Sequence, residues 1–219
     1  DAFRLTALEM HHDVTVIQAR LRGAPAVLRL NTLGRHFAVN AMGVLAAVEA
    51  LSGDPTRAAV DLFRWHPPAG RGRRETVSLD PADTNACFEL IDDAYNANPA
   101  SMAAALEVLA ASDPQEQSRQ GPRRIAILGD MLELGQEEAQ IHAQLAGNNH
   151  LLTLDVVHCV GPRMRACYDA LPAEIRGRWV QEAQELALGL GELIAPGDRV
   201  LVKGSLGSKV SLIVDLIRN

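Results

Sequence analysis

Four short segments in the second half of the chain hold the residue types that can bind a polar or anionic ligand. They are Asp92-Asp93-Ala94-Tyr95-Asn96-Ala97-Asn98-Pro99, Gly129-Asp130-Met131, Gly161-Pro162 and Lys203-Gly204-Ser205. Each follows a short apolar run of the kind that forms a buried strand, and in an open parallel sheet ligands gather beyond the carboxyl ends of the strands. Carboxylates, carboxamides and an ammonium brought to one sheet edge would form a binding rim. Taken singly, each segment has an ordinary structural use. Asn98 followed by Pro99 is also a helix start, with Asn as N-cap and Pro at the first helical position. Asp92 and Asp93 are neighbours in sequence, so on a strand they point to opposite faces and do not make an acid/base pair. Upstream, Arg71, Arg73 and Arg74 offer guanidinium forks suited to phosphate, or equally a solvated basic loop.

Several chemistries lack their residues. No G-x-G-x-x-G follows a strand, and neither Lys203 nor Lys209 sits in a G-x-x-x-x-G-K-[ST] loop, so dinucleotide binding and triphosphate cradling by those routes are excluded for this stretch. His11 and His12 are adjacent, and His36, His142, His150 and His158 show no metal-ligand spacing. The three cysteines, Cys87, Cys159 and Cys167, form no C-x-x-C pair and read as reduced, mostly buried thiols.

The elements that must position these residues alternate. Strands are expected at 88–91, 124–128, 156–160 and 199–202. Helices are expected at Pro99 to Ala111, Gln136 to about Gly147, Arg163 to Leu171, Gln181 to Ile194 and Lys209 to Ile217. Short apolar strands separated by helices imply an α/β fold, a Rossmann-like, parallel-rich sheet with helices on both faces. Before it, Val14, Val16 and Leu21, then Ala26, Leu28 and Leu30, flank the turn signal Arg22-Gly23-Ala24-Pro25 and predict a hairpin. Helices follow from His36 to Ala50 and from Pro55 to about Trp65. The run His66-Pro67-Pro68-Ala69-Gly70-Arg71-Gly72 cannot continue a helix and marks a linker, giving domains 1–69 and 70–219. The first looks thin for an independent core, as the remnant of a larger domain would be.

Composition sets the outer bounds. With 219 residues, 47% hydrophobic and 22% charged, the chain is an ordinary globular mix with room for one or two cores. The net charge of -6 argues against nucleic acid as a partner. No apolar stretch of about 18 residues predicts a membrane span, and the opening has no signal-peptide pattern, so a cytoplasmic protein is expected. Of 21 cationic residues only Lys203 and Lys209 are lysines. The first residue is Asp1 rather than Met, as in a processed or truncated piece.

From about Leu33 onward the motifs together resemble the Mur ligases, in particular members that join D-alanyl-D-alanine to UDP-N-acetylmuramoyl-tripeptide. The carriers are Gly34-Arg35-His36-(x)3-Asn40-Ala41, Gly70-Arg71, the run from Asp92 to Pro99 with Ser101-Met102, Leu128-Gly129-Asp130-Met131-Leu132-Glu133-Leu134-Gly135, His142, and Val202-Lys203-Gly204-Ser205. The resemblance implies the end of a central ATPase domain followed by the whole C-terminal domain of a three-domain ligase. It also implies ATP and Mg²⁺, with the phosphate loop and metal ligands outside this stretch. Such an enzyme converts the tripeptide carboxylate to an acyl phosphate, which the dipeptide amine attacks. Arg71 would then reach the γ-phosphate. Asn40 would read adenine, with His36 beside it on the nucleotide side. Asp93 would take the ribose hydroxyls, Asn96 and Asn98 would shape the nucleotide and acceptor pocket, and Lys203, Gly204 and Ser205 would face the dipeptide. Leu206 stands where such enzymes often carry Arg. The expected species is a monomer, and this stretch alone is expected to be inactive. The alternatives are another Mur ligase, a folylpolyglutamate synthase-like ligase, or a non-catalytic α/β binding module.

Overall fold

A computed structural model of the chain describes residues 2–11, 13–112 and 122–218. Two compact units divide at Pro67/Pro68, two residues before the boundary expected from the proline- and glycine-rich run.

The first unit pairs β1 (Phe3–His11), β2 (Val14–Leu21) and β3 (Ala24–Leu30) into an antiparallel sheet, with helices α1 (Arg35–Ala50) and α2 (Pro55–Leu62). The β2–β3 connection is shorter than the four-residue signal. Only Arg22 and Gly23 turn, with φ of 50° and 83°, the left-handed pair of a two-residue hairpin. Ala24 and Pro25 pair with Leu21 and Arg20, and Pro is tolerated there because β3 is an edge strand. Strand β1 extends the expected hairpin into a three-stranded sheet. A register shift between Leu5 and Ala7 breaks its apolar alternation, so that Phe3 and Leu5, then Leu8, meet the core. Ile17, Ala19, Leu28 and Leu30 pack there against Ala38, Ala41, Met42 and Leu45 of α1.

The second unit is a six-stranded sheet in the order β4-β5-β9-β6-β7-β8. The strands are β4 (Arg73–Ser78), β5 (Cys87–Asp93), β6 (Arg124–Gly129), β7 (Val156–Val160), β8 (Arg176–Val180) and β9 (Arg199–Lys203). All neighbours are parallel except β4, which runs antiparallel to β5. The strands not expected from sequence, β4 and β8, are the two edges. Edge strands carry polar side chains, and Arg73-Arg74-Glu75-Thr76-Val77-Ser78 and Arg176-Gly177-Arg178-Trp179-Val180 lack the apolar run of a central strand.

Helices are α3 (Pro99–Ala110), α4 (Glu138–Leu145), α5 (Met164–Ala170), α6 (Ala183–Ala187), α7 (Leu190–Leu193) and α8 (Ser211–Arg218). The single helix expected over 181–194 is broken between α6 and α7, where Gly189 leaves helical geometry and Leu188 is exposed. On one face Phe88, Leu90, Ile125, Ile127, Val200 and Val202 pack with Ala183, Leu186, Ile213 and Val214 of α6 and α8. The alternate residues Ile91, Ala126, Leu128 and Leu201 are buried on the opposite face, where α3 packs over β6 and β9.

This alternation decides what happens to the two aspartates at the end of β5. Asp93 lies in register with Lys203 of β9 and shares its face, whereas Asp92 is in register with Val202 and points toward the α8 side.

Candidate functional site

The carboxyl ends of β5, β9, β6 and β7 lie side by side, so the four loops singled out in the sequence converge on one edge of the sheet. At its centre is Lys203, 1% exposed. Its ammonium donates to Asp93 Oδ2 at 2.7 Å and to the carbonyl of Asn96 at 2.8 Å. Burial pushes the Asp93 carboxyl above the usual 3.8, and the Lys203 charge pulls it part of the way back. The pair ties the β5–α3 loop to the middle of the sheet. Ser205 adds a second tie. Its hydroxyl donates to the Ala97 carbonyl at 3.3 Å and accepts from Leu132 N–H at 3.0 Å. Its own N–H donates to the Asp130 carbonyl at 3.0 Å. Between them Gly204 lets two strand ends meet: a Cβ there would stand 3.0 Å from the Gly129 Cα.

The β5–α3 loop is braced from within. Asn96 Oδ1 accepts from Ala97 N–H at 2.8 Å. Asn98 caps α3, its Oδ1 accepting from Ser101 N–H at 2.8 Å while Ser101 Oγ accepts from Asn98 N–H at 3.1 Å, a reciprocal box. Asn98 therefore serves as the helix start that its pairing with Pro99 suggested. Both side-chain oxygens are engaged, which leaves the two NH2 groups, on exposed residues, to serve as donors.

Arg71 reaches this rim on a loop held by main-chain bonds. Gly70 and Gly72 have φ of 74° and 84°, a conformation that favours glycine. Gly70 N–H donates to Asp92 Oδ2 at 3.0 Å, Gly72 N–H to the Asp92 carbonyl at 2.8 Å, and Tyr95 N–H to the Gly70 carbonyl at 3.1 Å. Arg218 from α8 donates to the same Asp92 oxygen at 2.8 Å. The Arg71 guanidinium carbon lies 4.3 Å from the centroid of the Tyr95 ring.

The remaining loops are also pinned. Asp130 Oδ1 accepts from Met164 N–H at 2.8 Å. Gly161, at φ 109°, has no room for a side chain because a Cβ would lie 2.4 Å from the Asp130 carboxylate. His142 is fully buried. Its Nδ1 donates to the Glu138 carbonyl at 2.7 Å, and its Nε2 accepts from Met131 N–H at 3.0 Å. That is the neutral tautomer, holding the loop after β6 in place.

Arg71, Asp93, Asn96, Asn98, Lys203, Gly204 and Ser205 thus lie along one edge. Their burial divides them into two layers. Arg71, Asn96 and Asn98 are exposed, with the neighbouring Tyr95, and Asp93 is half-buried between the layers. Lys203, Gly204 and Ser205 are buried, and the polar groups of Lys203 and Ser205 hold the loops that carry the outer layer. His36 and Asn40 belong to the first unit, on the first turns of α1, with His36 half-buried and Asn40 exposed. His11 bonds to Glu9 on the surface, and His12 lies outside the described residues. The three cysteines are unpaired thiols, with Cys159 and Cys167 buried. Sequence reasoning left His142 without a role and passed over Arg218. His142 acts through its own helix and the loop eleven residues before it, and Arg218 through Asp92, 126 positions away, so neither belongs to a motif that its type and spacing reveal.

Residues 72–206 match the Mur ligase, glutamate ligase domain. This chain belongs to the Mur ligase family. A UDP-N-acetylmuramoyl-tripeptide–D-alanyl-D-alanine ligase of Rickettsia prowazekii is 32% identical to this Mur ligase chain over 183 residues, covering 83% of it and 37% of the relative. The enzyme of that name from Bacillus subtilis is 29% identical over 205 residues, covering 91% and 42% respectively. The chain therefore spans about two-fifths of the length of these relatives. Among solved structures, MurF from Acinetobacter baumannii superimposes with a TM-score of 0.80 at 24% identity, over 100% of this chain and 45% of that one. The MurF ligase from Thermotoga maritima in complex with ADP superimposes with a TM-score of 0.77 at 18% identity, over 99% and 46%. Both share this fold.

Among the described residues no group of three or more His, Cys, Asp or Glu side chains is placed to hold a metal ion. No described helix is long and apolar enough to cross a membrane.

Proposed function

We propose that this chain is the C-terminal part of an ATP-dependent peptide ligase that adds D-alanyl-D-alanine to UDP-N-acetylmuramoyl-tripeptide. The single observation that supports this most is the common rim, where an exposed arginine, a carboxylate and two outward carboxamides share one edge in a chain 32% identical to a ligase of that name. In the proposed reaction the tripeptide carboxylate attacks the γ-phosphorus of ATP, giving an acyl phosphate and ADP. The neutral amine of the dipeptide then adds to the acyl carbon. Collapse of the tetrahedral intermediate, with loss of the amine proton, releases phosphate and leaves the amide. A carboxylate is a poor acyl donor until one oxygen becomes a phosphate leaving group.

The side chains of this chain would contribute charge and position. Arg71 meets the negative charge of the transferring phosphoryl group. Asp93 keeps one oxygen on Lys203 and offers the other to the ribose hydroxyls, while Asn96 and Asn98 present N–H donors to the acceptor's oxygens. The resemblance assigns Asn40, with His36, to the adenine side. With no phosphate loop of its own, the chain by itself is inactive in this reading, and the complete enzyme works as a monomer in the cytoplasm.

Arg71→Ala in the full-length enzyme tests the assignment. Loss of a group that touches developing phosphate charge should lower turnover by about a hundredfold or more, with little change in KM for the muramoyl substrate. Unchanged turnover would remove Arg71 from the chemistry.

A further inference from the structure

We propose that Tyr95 is a positioning residue for Arg71, its ring face holding the guanidinium at the rim in a form that an anion can take over. This rests on the ligase reading of Arg71. The two residues are far apart in sequence, yet three observations place them together. The guanidinium carbon stands 4.3 Å from the ring centroid, within the range of a cation–π contact. Tyr95 N–H is bonded to the Gly70 carbonyl at 3.1 Å, so the main chain beside the ring is fixed to the main chain beside Arg71. The contact needs glycine at 70, because a Cβ there would approach the Tyr95 Cβ to 3.0 Å.

The loop is anchored at its other side too. Asp92 holds Gly70 and Gly72, and Arg218 holds Asp92. The main-chain bonds leave the arginine side chain itself unfixed, and a long side chain between two glycines samples many rotamers unless something holds it. Among the described residues Arg71 forms no salt bridge: the Asp93 carboxylate feels its charge without closing on it, and its stacking partner is neutral. The distinction matters for function. A carboxylate would neutralise the guanidinium and compete with phosphate, whereas a ring face orients the cation and leaves its N–H donors uncovered at the edge of the plane. Tyr95 is 47% exposed, so its ring is not a core element that any substitution would collapse.

Two measurements test this. In this 219-residue chain, the Arg71 side-chain protons should be shifted upfield by the Tyr95 ring current, a shift kept in Tyr95→Phe and lost in Tyr95→Leu. In the full-length ligase, Tyr95→Leu should lower kcat about tenfold with KM for the muramoyl substrate unchanged, and Tyr95→Phe should retain turnover. In an Arg71→Ala background, Tyr95→Leu should cost nothing more, because the ring would have nothing left to position. The proposal is overturned if the ring-current shift is missing, if Tyr95→Phe loses as much as Tyr95→Leu, or if Tyr95→Leu costs the same tenfold with or without Arg71. Full turnover by Arg71→Ala with the ring-current shift intact would instead strike the phosphate role of Arg71, which separates the two failures.

Discussion

Replacing Lys203 by Met removes the ammonium that joins β9 to the β5–α3 loop while keeping a side chain of similar length. Lys203 is 2% exposed at its side chain and Asp93 20%, so the substitution strands a mostly buried carboxylate and the Asn96 carbonyl without their donor. Breaking a buried pair by removing one partner costs about 3–5 kcal/mol, and the partial exposure of Asp93 places the expected loss near the lower end, about 3 kcal/mol. For a unit of this size that is roughly 9 °C in Tm. The chain has two tryptophans, Trp65 and Trp179, one in each unit, so a Trp65→Phe background leaves Trp179 to report the second unit alone. Urea and thermal unfolding followed by Trp179 fluorescence measure the loss directly. The pH dependence carries the sharper test. Asp93 already has a folded pKa above 3.8, so the folded state binds its proton more readily than the unfolded state does. Its contribution to stability therefore rises as the pH falls through that region. Removing Lys203 should raise that pKa further, and the penalty should shrink between pH 7 and pH 4.5 as the stranded carboxylate is protonated. Asp93→Asn should recover about 2 kcal/mol of the loss in the double variant. A Lys203→Met protein within about 0.5 kcal/mol of the parent, or a loss independent of pH, would refute the reasoning.

Two further outcomes follow from buried imidazoles. His158 is 3% exposed, and its Nδ1 accepts from Arg178 N–H at 2.9 Å. Burial first, then the Arg178 and Arg123 charges, lower its pKa from 6.5 to about 4. The unfolded chain takes up this proton first, so stability should fall as the pH drops below 6.5, by about 2 kcal/mol at pH 5. The contribution stops growing below about pH 4. His158→Leu should flatten that part of the urea-unfolding profile, and an unchanged slope would exclude His158 as its source. For His142, substitution by Phe leaves the buried Met131 N–H without its acceptor and should cost about 1–3 kcal/mol. His142→Gln, with a carboxamide oxygen, should recover part of it. Equal stability of all three proteins by Trp179 fluorescence would show that the histidine does not hold the loop.

What was legible in the sequence is what local pattern encodes. The middles of the central strands β5, β6, β7 and β9 are short apolar-rich stretches because both faces of the sheet are covered. The segments at their ends stood out because Gly, Asp, Asn and Pro cluster where each apolar stretch stops. The parallel order then required the loops to open on one edge. The edge strands β4 and β8 escaped notice because half-solvated pairing leaves no clean period.

Tertiary structure decided the division of labour at the rim. Sequence placed Asp92 beside Asp93 and implied only that they point apart. Which one meets Lys203 and which meets Arg218 depends on the register of β5 against β9 and on the α8 helix reaching the Asp92 side. In the same way Lys203 looks from its motif like a free cation at a strand end, and only burial against Asp93 and Asn96 makes it a brace. A residue's type and spacing fix what bonds it can form. Which it forms is settled by neighbours that the chain brings close from more than a hundred positions away.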